Sequence, residues 1–199
     1  VVAVEFFPGV KVASDPAVTD SSGAVVPSKV WLNQDRGKLI LTFDGSAGGK
    51  YTLHYGGNGS AQRPAKKWDG TPSLLMAVYT KPDGPLSSLD RMKSMVEKAT
   101  VQGMMFVPNI YHGFNPFGPN EEFLTVYRGE LDVKDAATYR LFTMSSDASF
   151  VVIDGELAFQ WPGVHPADAG GYGAYGKDMQ LSGRHRIEYY HGFLGKAER

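Results

Sequence analysis

The chain has 199 residues and a net charge of about −1, enough length for one large β domain or two small ones. So small a charge leaves no electrostatic footprint for nucleic acid or an anionic membrane surface, and no apolar run approaches the roughly 18–20 residues that cross a bilayer. Cysteine is absent, which excludes disulfides, thiolate zinc sites and cysteine nucleophiles together.

The 24 glycines and 12 prolines suit short strands and tight turns better than long helices. The chain begins at Val1 rather than at a methionine. It reads as a mature or trimmed fragment, from which an export signal could have been removed.

From Val1 to about Thr80 the pattern is strands and turns. "KVWLNQDRGKLILTFDG" holds two β-rich runs around the polar turn Asp35-Arg36-Gly37. "KLILTF" alternates Leu39, Leu41 and Phe43 against Lys38, Ile40 and Thr42, as a mostly buried strand does. The Gly-rich stretch "GSAGGK" predicts a hairpin between Leu39–Phe43 and Tyr51–Tyr55. A loop follows, and then "SLLMAVYT", a strand buried on both faces.

"KPDGPLSS" breaks the pattern and marks the predicted domain boundary. Ser87 or Ser88 caps a helix from about Ser88 to Ala99, with Leu89, Met92, Val96 and Ala99 at helical spacing. Asp90 in its first turn and Lys98 in its last suit the helix dipole. The remainder is β again. "GMMFVPNIY", "FLTVYRGELDV", "AATYRLFTMSS" and "ASFVVIDG" read as successive strands, and "ELAFQW" as a hairpin partner across Asp154-Gly155. "PGVHPADAGGYGAYGKD" reads as a long loop and "RHRIEYYHGFLG" as the closing strand. The expected fold is mainly β: two β domains, residues 1–84 and 85–199, the second a jelly-roll-like β-sandwich, with one short helix between them.

Three separated motifs carry a family resemblance: Ser145-Ser146-Asp147 at a strand end, Ile153-Asp154-Gly155 at a second, and Leu181-Ser182-Gly183-Arg184-His185-Arg186-Ile187 in a late strand. Residues 101–199 resemble the protective-antigen-type β-sandwich, the lectin-like module known as the PA-fourteen domain. That family reads Ser-Asp-Asp, Ile-Asp-Gly and Leu-x-x-Gly-x-His-x-Ile at these places. The first half is similar, more distantly, to a small β domain of bacterial envelope and surface proteins. Its carrier is Tyr51-Thr52-Leu53-His54-Tyr55-Gly56-Gly57-Asn58, and it adds context without chemistry.

The resemblance implies that two consecutive aspartates hold a calcium ion that also ligates sugar hydroxyls. Calcium takes six to eight hard oxygens, which adjacent carboxylates supply at one point. Here Ser146 stands in the first position and only Asp147 remains. Three readings of Asp147 stay open: a residue that caps a turn locally, a calcium ligand, or a metal-free sugar contact. Asp154 belongs to its hairpin turn. Trp161, Tyr172 and Tyr175 put aromatic rings in or beside the long loop, and flat rings stack on the C–H face of a sugar. The alternative is that they pack the loop onto the domain. His165 and Asp168 stand three apart, a weak metal signal. Phe114, Asn115, Phe117, Asn120 and Glu121-Glu122 mix rings with oxygens in a loop that reads first as a packed crossover.

Signs of catalysis are poor. There is no Gly-x-Ser-x-Gly elbow, no phosphate-binding Gly-rich loop and no recognisable acid/base pair. His185 falls at the family's late-strand position and reads as structural. The leading expectation is a non-catalytic, carbohydrate-recognising module of a bacterial cell-surface or envelope protein. It would be extracellular, at the cell surface or periplasmic, with a glycan or other surface polymer as partner and calcium as a candidate cofactor. The alternative is a self-associating structural subunit of such an assembly.

Overall fold

The structure is a computed structural model that describes residues 2–5, 16–34, 38–54, 68–70, 74–111 and 113–195. The chain divides into two compact units, Val1–Pro72 and Ser73–Arg199. The fold is mainly β, with one short helix among the described residues.

The first unit holds β1 (Val2–Glu5), β2 (Ala17–Asp20), β3 (Val25–Val26), β4 (Ser28–Gln34), β5 (Lys38–Phe43) and β6 (Tyr51–His54). They form two three-stranded sheets, ordered β1-β5-β4 and β3-β2-β6. The β4–β5 pairing joins the two runs around Asp35-Arg36-Gly37, with Gln34 opposite Lys38; the turn itself lies outside the described residues. The predicted hairpin of β5 with β6 does not form. β5 pairs with β1 and β4, while β6 pairs with β2.

The physical reason is face packing. Val18, Leu39 and Leu41 are buried together, with Val26, Phe43, Tyr51 and Leu53 packed around them. Both sheets carry an apolar face, and stacking buries both, which edge pairing would not. Residues 44–50 are the connection between sheets. The Phe43 and Tyr51 rings meet at 4.9 Å across it, and the Tyr51 hydroxyl accepts the Ser46 N–H at 2.8 Å.

The second unit holds β7 (Leu75–Thr80), α1 (Leu89–Lys98), β8 (Val101–Phe106), β9 (Phe123–Thr143), β10 (Ser149–Ile153), β11 (Glu156–Trp161) and β12 (Tyr175–Phe193). One antiparallel sheet runs β11-β10-β12-β9-β7-β8. The chain divides between Pro72 and Ser73, where the sequence places the break after residue 84. β7 pairs with β8 and with β9, so it is an interior strand of the six-stranded sheet rather than the end of the first unit. Its residues Leu75 to Tyr79 are all buried, as a strand covered on both faces requires.

Two runs that read as separate strands, 123–133 and 136–146, merge into the single strand β9, which ends at Thr143. It continues through an irregularity opposite Gly183, where Leu181 faces Ala137 and Gly183 faces Val133. The extra residues bulge out, and Gly183 sits at φ +75°, a conformation glycine adopts without penalty.

In α1, the Ser88 hydroxyl accepts the Arg91 N–H, and Leu89, Met92 and Met95 turn inward. Val96, expected on that face, is only half-buried. Gly192 lets this layer approach the sheet: a Cβ there would lie 2.0 Å from Leu86 Cδ1 and 3.3 Å from Met92 Cε. Gly192→Ala is therefore expected to cost about 1–3 kcal/mol through overpacking, read as a lower urea midpoint. An unchanged midpoint would show that the layer is not closely packed. No helix among the described residues is long and apolar enough to cross a membrane.

Candidate functional site

The β9–β10 turn, residues 144–148, is the centre of the site. Asp147 adopts φ +64° and is 2% exposed. Its N–H donates to His165 O at 2.7 Å. Its carboxylate accepts the His165 N–H on Oδ1 at 3.2 Å and the Leu194 N–H on Oδ2 at 2.8 Å. Asp147 thus ties the turn to the 162–174 loop and to the end of β12. Ser145 Oγ hydrogen-bonds with Asp147 O and with Ser149 Oγ, both at 2.9 Å. His191 Nε2 donates to Ser146 O at 2.8 Å.

These residues do not fit calcium. Ser146 offers a neutral hydroxyl, and both carboxylate oxygens of Asp147 are turned inward onto backbone donors. Among the described residues no group of three or more His, Asp or Glu is placed to hold a metal ion. His165, the other half of the His165/Asp168 spacing, lies flat against Trp161 instead.

The aromatic residues are a packed stack. Trp161 is 5% exposed. One of its neighbours is His165, with ring centres 3.6 Å apart and planes 5° apart; the other is Tyr175, at 3.9 Å and 10°. A ring with parallel partners this close has little face left for a sugar. Tyr175 is the first residue of β12, and a Cβ on Gly170 would fall 2.1 Å from its Cε2, so the loop backbone closes over it. Tyr172 is 84% exposed and meets Phe142 edge-on at 4.7 Å.

A cavity of about 260 Å³ opens beside the turn. Half-buried Tyr189, His191 and Phe193 line its floor, over Phe123 and Tyr127, which are buried in the core with Met76 and Val78. Antiparallel register brings these together, with Phe123 opposite Phe193, Thr125 opposite His191 and Tyr127 opposite Tyr189. Alternation then points them to one face. Ile110, Tyr111, Asn120, Met144, Ser145 and Ser146 stand around them. Burial raises the Tyr127 and Tyr189 hydroxyls above their ordinary value, so both stay protonated. None of the four predicted site residues, Asp147, Trp161, Tyr172 and Tyr175, is in the lining of this cavity; Ser146, next to Asp147, is. The signal for the floor was present in the period-two run Tyr189, His191, Phe193. The 113–122 loop packs as a crossover: Asn115 is buried and donates to Gln102 Oε1 at 2.7 Å and to Pro119 O at 3.0 Å. His112 lies outside the described residues.

A second cavity, about 500 Å³, is lined by Glu130, Asp154, Arg184, His185, Arg186 and Glu188. Each carboxylate has a partner. His185 Nδ1 lies 2.7 Å from Asp154 Oδ2, and the Arg186 N–H reaches Asp154 Oδ1 at 2.8 Å. Glu188 takes the Tyr190 hydroxyl at 2.6 Å, and Glu130 lies 3.9 Å from Arg184. Asp154 and Gly155 have φ +52° and +91°, the form an Asp-Gly hairpin turn needs.

The His185 hydrogen bond, then the Arg186 N–H, hold the Asp154 carboxyl below its usual 3.8. A depressed carboxyl stabilises the fold above the unfolded value, and the gain disappears as pH falls through the lower folded value. Exposure keeps the effect small. Asp154→Asn preserves the turn, so its deficit against wild type should be present at pH 6 and absent near pH 2. A deficit independent of pH would remove the carboxylate from the explanation.

No protein-family model matches the chain, and no curated protein matches it. Two solved structures do. One is described as "PA14 sugar-binding domain from RTX adhesin", with a TM-score of 0.51 and 16% identity over 61% of this chain and 82% of that one. The other, the PA14 domain of the MpAFP antifreeze protein, gives a TM-score of 0.53 and 14% identity over 67% and 82%. The fold is that of a PA14-like domain.

Proposed function

We propose that the second unit is a non-catalytic recognition module for carbohydrate, and that its ligand enters the cavity beside Ser145-Ser146. The observation that carries this is the aromatic lining of that cavity: the half-buried rings of Tyr189, His191 and Phe193 on one sheet face, beside half-buried Ser146 and exposed Tyr111. Rings of this kind take the C–H face of a sugar while hydroxyl and amide groups take its oxygens. One of the two similar solved structures is described as sugar-binding, which supports the ligand class. Among the described residues, no Asp or Glu lines the cavity, so a pair of carboxylates for glycoside cleavage is missing there.

The host we propose is a bacterial surface, envelope or otherwise extracellular protein. The support is the sequence pattern of both halves and, for the similar domains, their description as parts of an adhesin and an antifreeze protein. We read the first unit as an accessory β domain of such proteins.

A glycan array probed with the full chain tests the proposal. Binding to a defined set of saccharides is expected. If no saccharide binds at millimolar concentration in titration, the carbohydrate reading fails.

A further inference from the structure

We infer that the cavity takes a single uncharged sugar ring and holds it without a metal ion. This rests on the carbohydrate reading and narrows it.

Charge argues first. Among the described residues, none of those lining the cavity is Asp, Glu, Lys or Arg. A carboxylate or ammonium entering such a pocket loses its water without gaining a counter-charge, which is costly. The one nearby carboxylate, Asp147, is buried and occupied by the His165 and Leu194 N–H groups. It can neither neutralise a cationic ligand nor anchor a calcium ion.

Ser146, Asn120 and Tyr111 carry no charge and suit hydroxyls, and His191, the one imidazole of the lining, is tied through Nε2 to Ser146 O. Ser146 stands at the wall. Asn120 accepts the Asn115 N–H through Oδ1, which leaves its amide nitrogen to donate. Tyr111, 79% exposed, adds a ring and a hydroxyl at the mouth. The half-buried rings of Tyr189 and Phe193 below, with Ser146, Asn120 and Tyr111 around, match a ring that has one C–H face and a rim of hydroxyls. Size argues last. Pockets for drug-sized ligands run to roughly 300–1,000 Å³, and a cavity of about 260 Å³ is of a size to enclose one ring.

The test is calorimetric titration of the full chain with neutral hexoses and 6-deoxyhexoses, glucuronic acid, N-acetylneuraminic acid and glucosamine, each in EDTA and in excess calcium. At least one neutral sugar should bind with the same Kd in both buffers, and the charged sugars at least about tenfold more weakly. Tyr111→Ala, on an exposed residue, should leave Tm unchanged and weaken the neutral sugar roughly three- to tenfold. Ser146→Asp should weaken it as well and confer no calcium dependence. Binding abolished by EDTA, a preference for an acidic sugar, or full affinity in both variants would overturn the inference while leaving the carbohydrate reading intact. If none of the sugars binds in either buffer, both fall together.

Discussion

Asp147→Ala is expected to lower the stability of the second unit by about 3–6 kcal/mol, the largest single effect in the site. The substitution removes a carboxylate that accepts two backbone N–H groups, from His165 and from Leu194. Hydrogen bonds to a charged group are each worth about 1.5–3 kcal/mol, and a buried donor left unpaired adds to the cost. Alanine must also hold the left-handed backbone at φ +64°, an unfavourable conformation that moves the loss toward the upper end of that range. Asp147→Asn keeps one acceptor oxygen and tolerates that backbone, so about half the loss is expected. Urea denaturation measures both. A change in Asp147→Ala below about 1 kcal/mol would mean that the carboxylate is not a clamp. Calcium should leave the Tm of wild type where it is, because a ligand stabilises only a fold that binds it.

The second large effect is at Trp161. Trp161→Ala should cost about 3–5 kcal/mol, the range for removing a buried large aromatic, since the ring is 5% exposed and flanked by His165 and Tyr175. The outcome separates two roles for one residue. A sugar-stacking tryptophan loses binding and keeps stability when truncated; a packed one loses stability. Tyr172→Ala, at an exposed ring, should stay within about 0.5 kcal/mol of wild type. Near-neutral stability in Trp161→Ala with lost saccharide binding would reverse the assignment.

Much of the fold is legible from local chemistry. Ser88, Asp90 and Lys98 mark the ends of α1, and Leu89 and Met92 mark its buried face. Asp154-Gly155 marks the β10–β11 turn because both positions need φ above zero. What is not legible depends on packing between distant segments. A glycine-bearing connection between Phe43 and Tyr51 serves a hairpin or a change of sheet equally well, and the apolar faces decide. β9 looks interrupted at Lys134–Ala136 because a bulge breaks the alternation on one strand only.

The site divides the same way. The sequence marks Ser146 as the departure from a calcium pair. It does not reveal which way the Asp147 carboxylate points, because that depends on N–H groups 18 and 47 residues away. Nor does it reveal that Trp161 is stacked between His165 and Tyr175. The floor of the cavity was hidden for a related reason. Phe123 and Tyr127 meet Tyr189 and Phe193 only through the β9–β12 register.

The most direct test is a backbone amide NMR titration of the full chain with a neutral saccharide that binds. The shifts are expected to concentrate at Tyr111, Asn120, Ser145 and Ser146 and along the β9 and β12 residues beneath them. Shifts confined to Trp161 and to Ala169–Tyr175, with the cavity residues unmoved, would contradict the placement of the site.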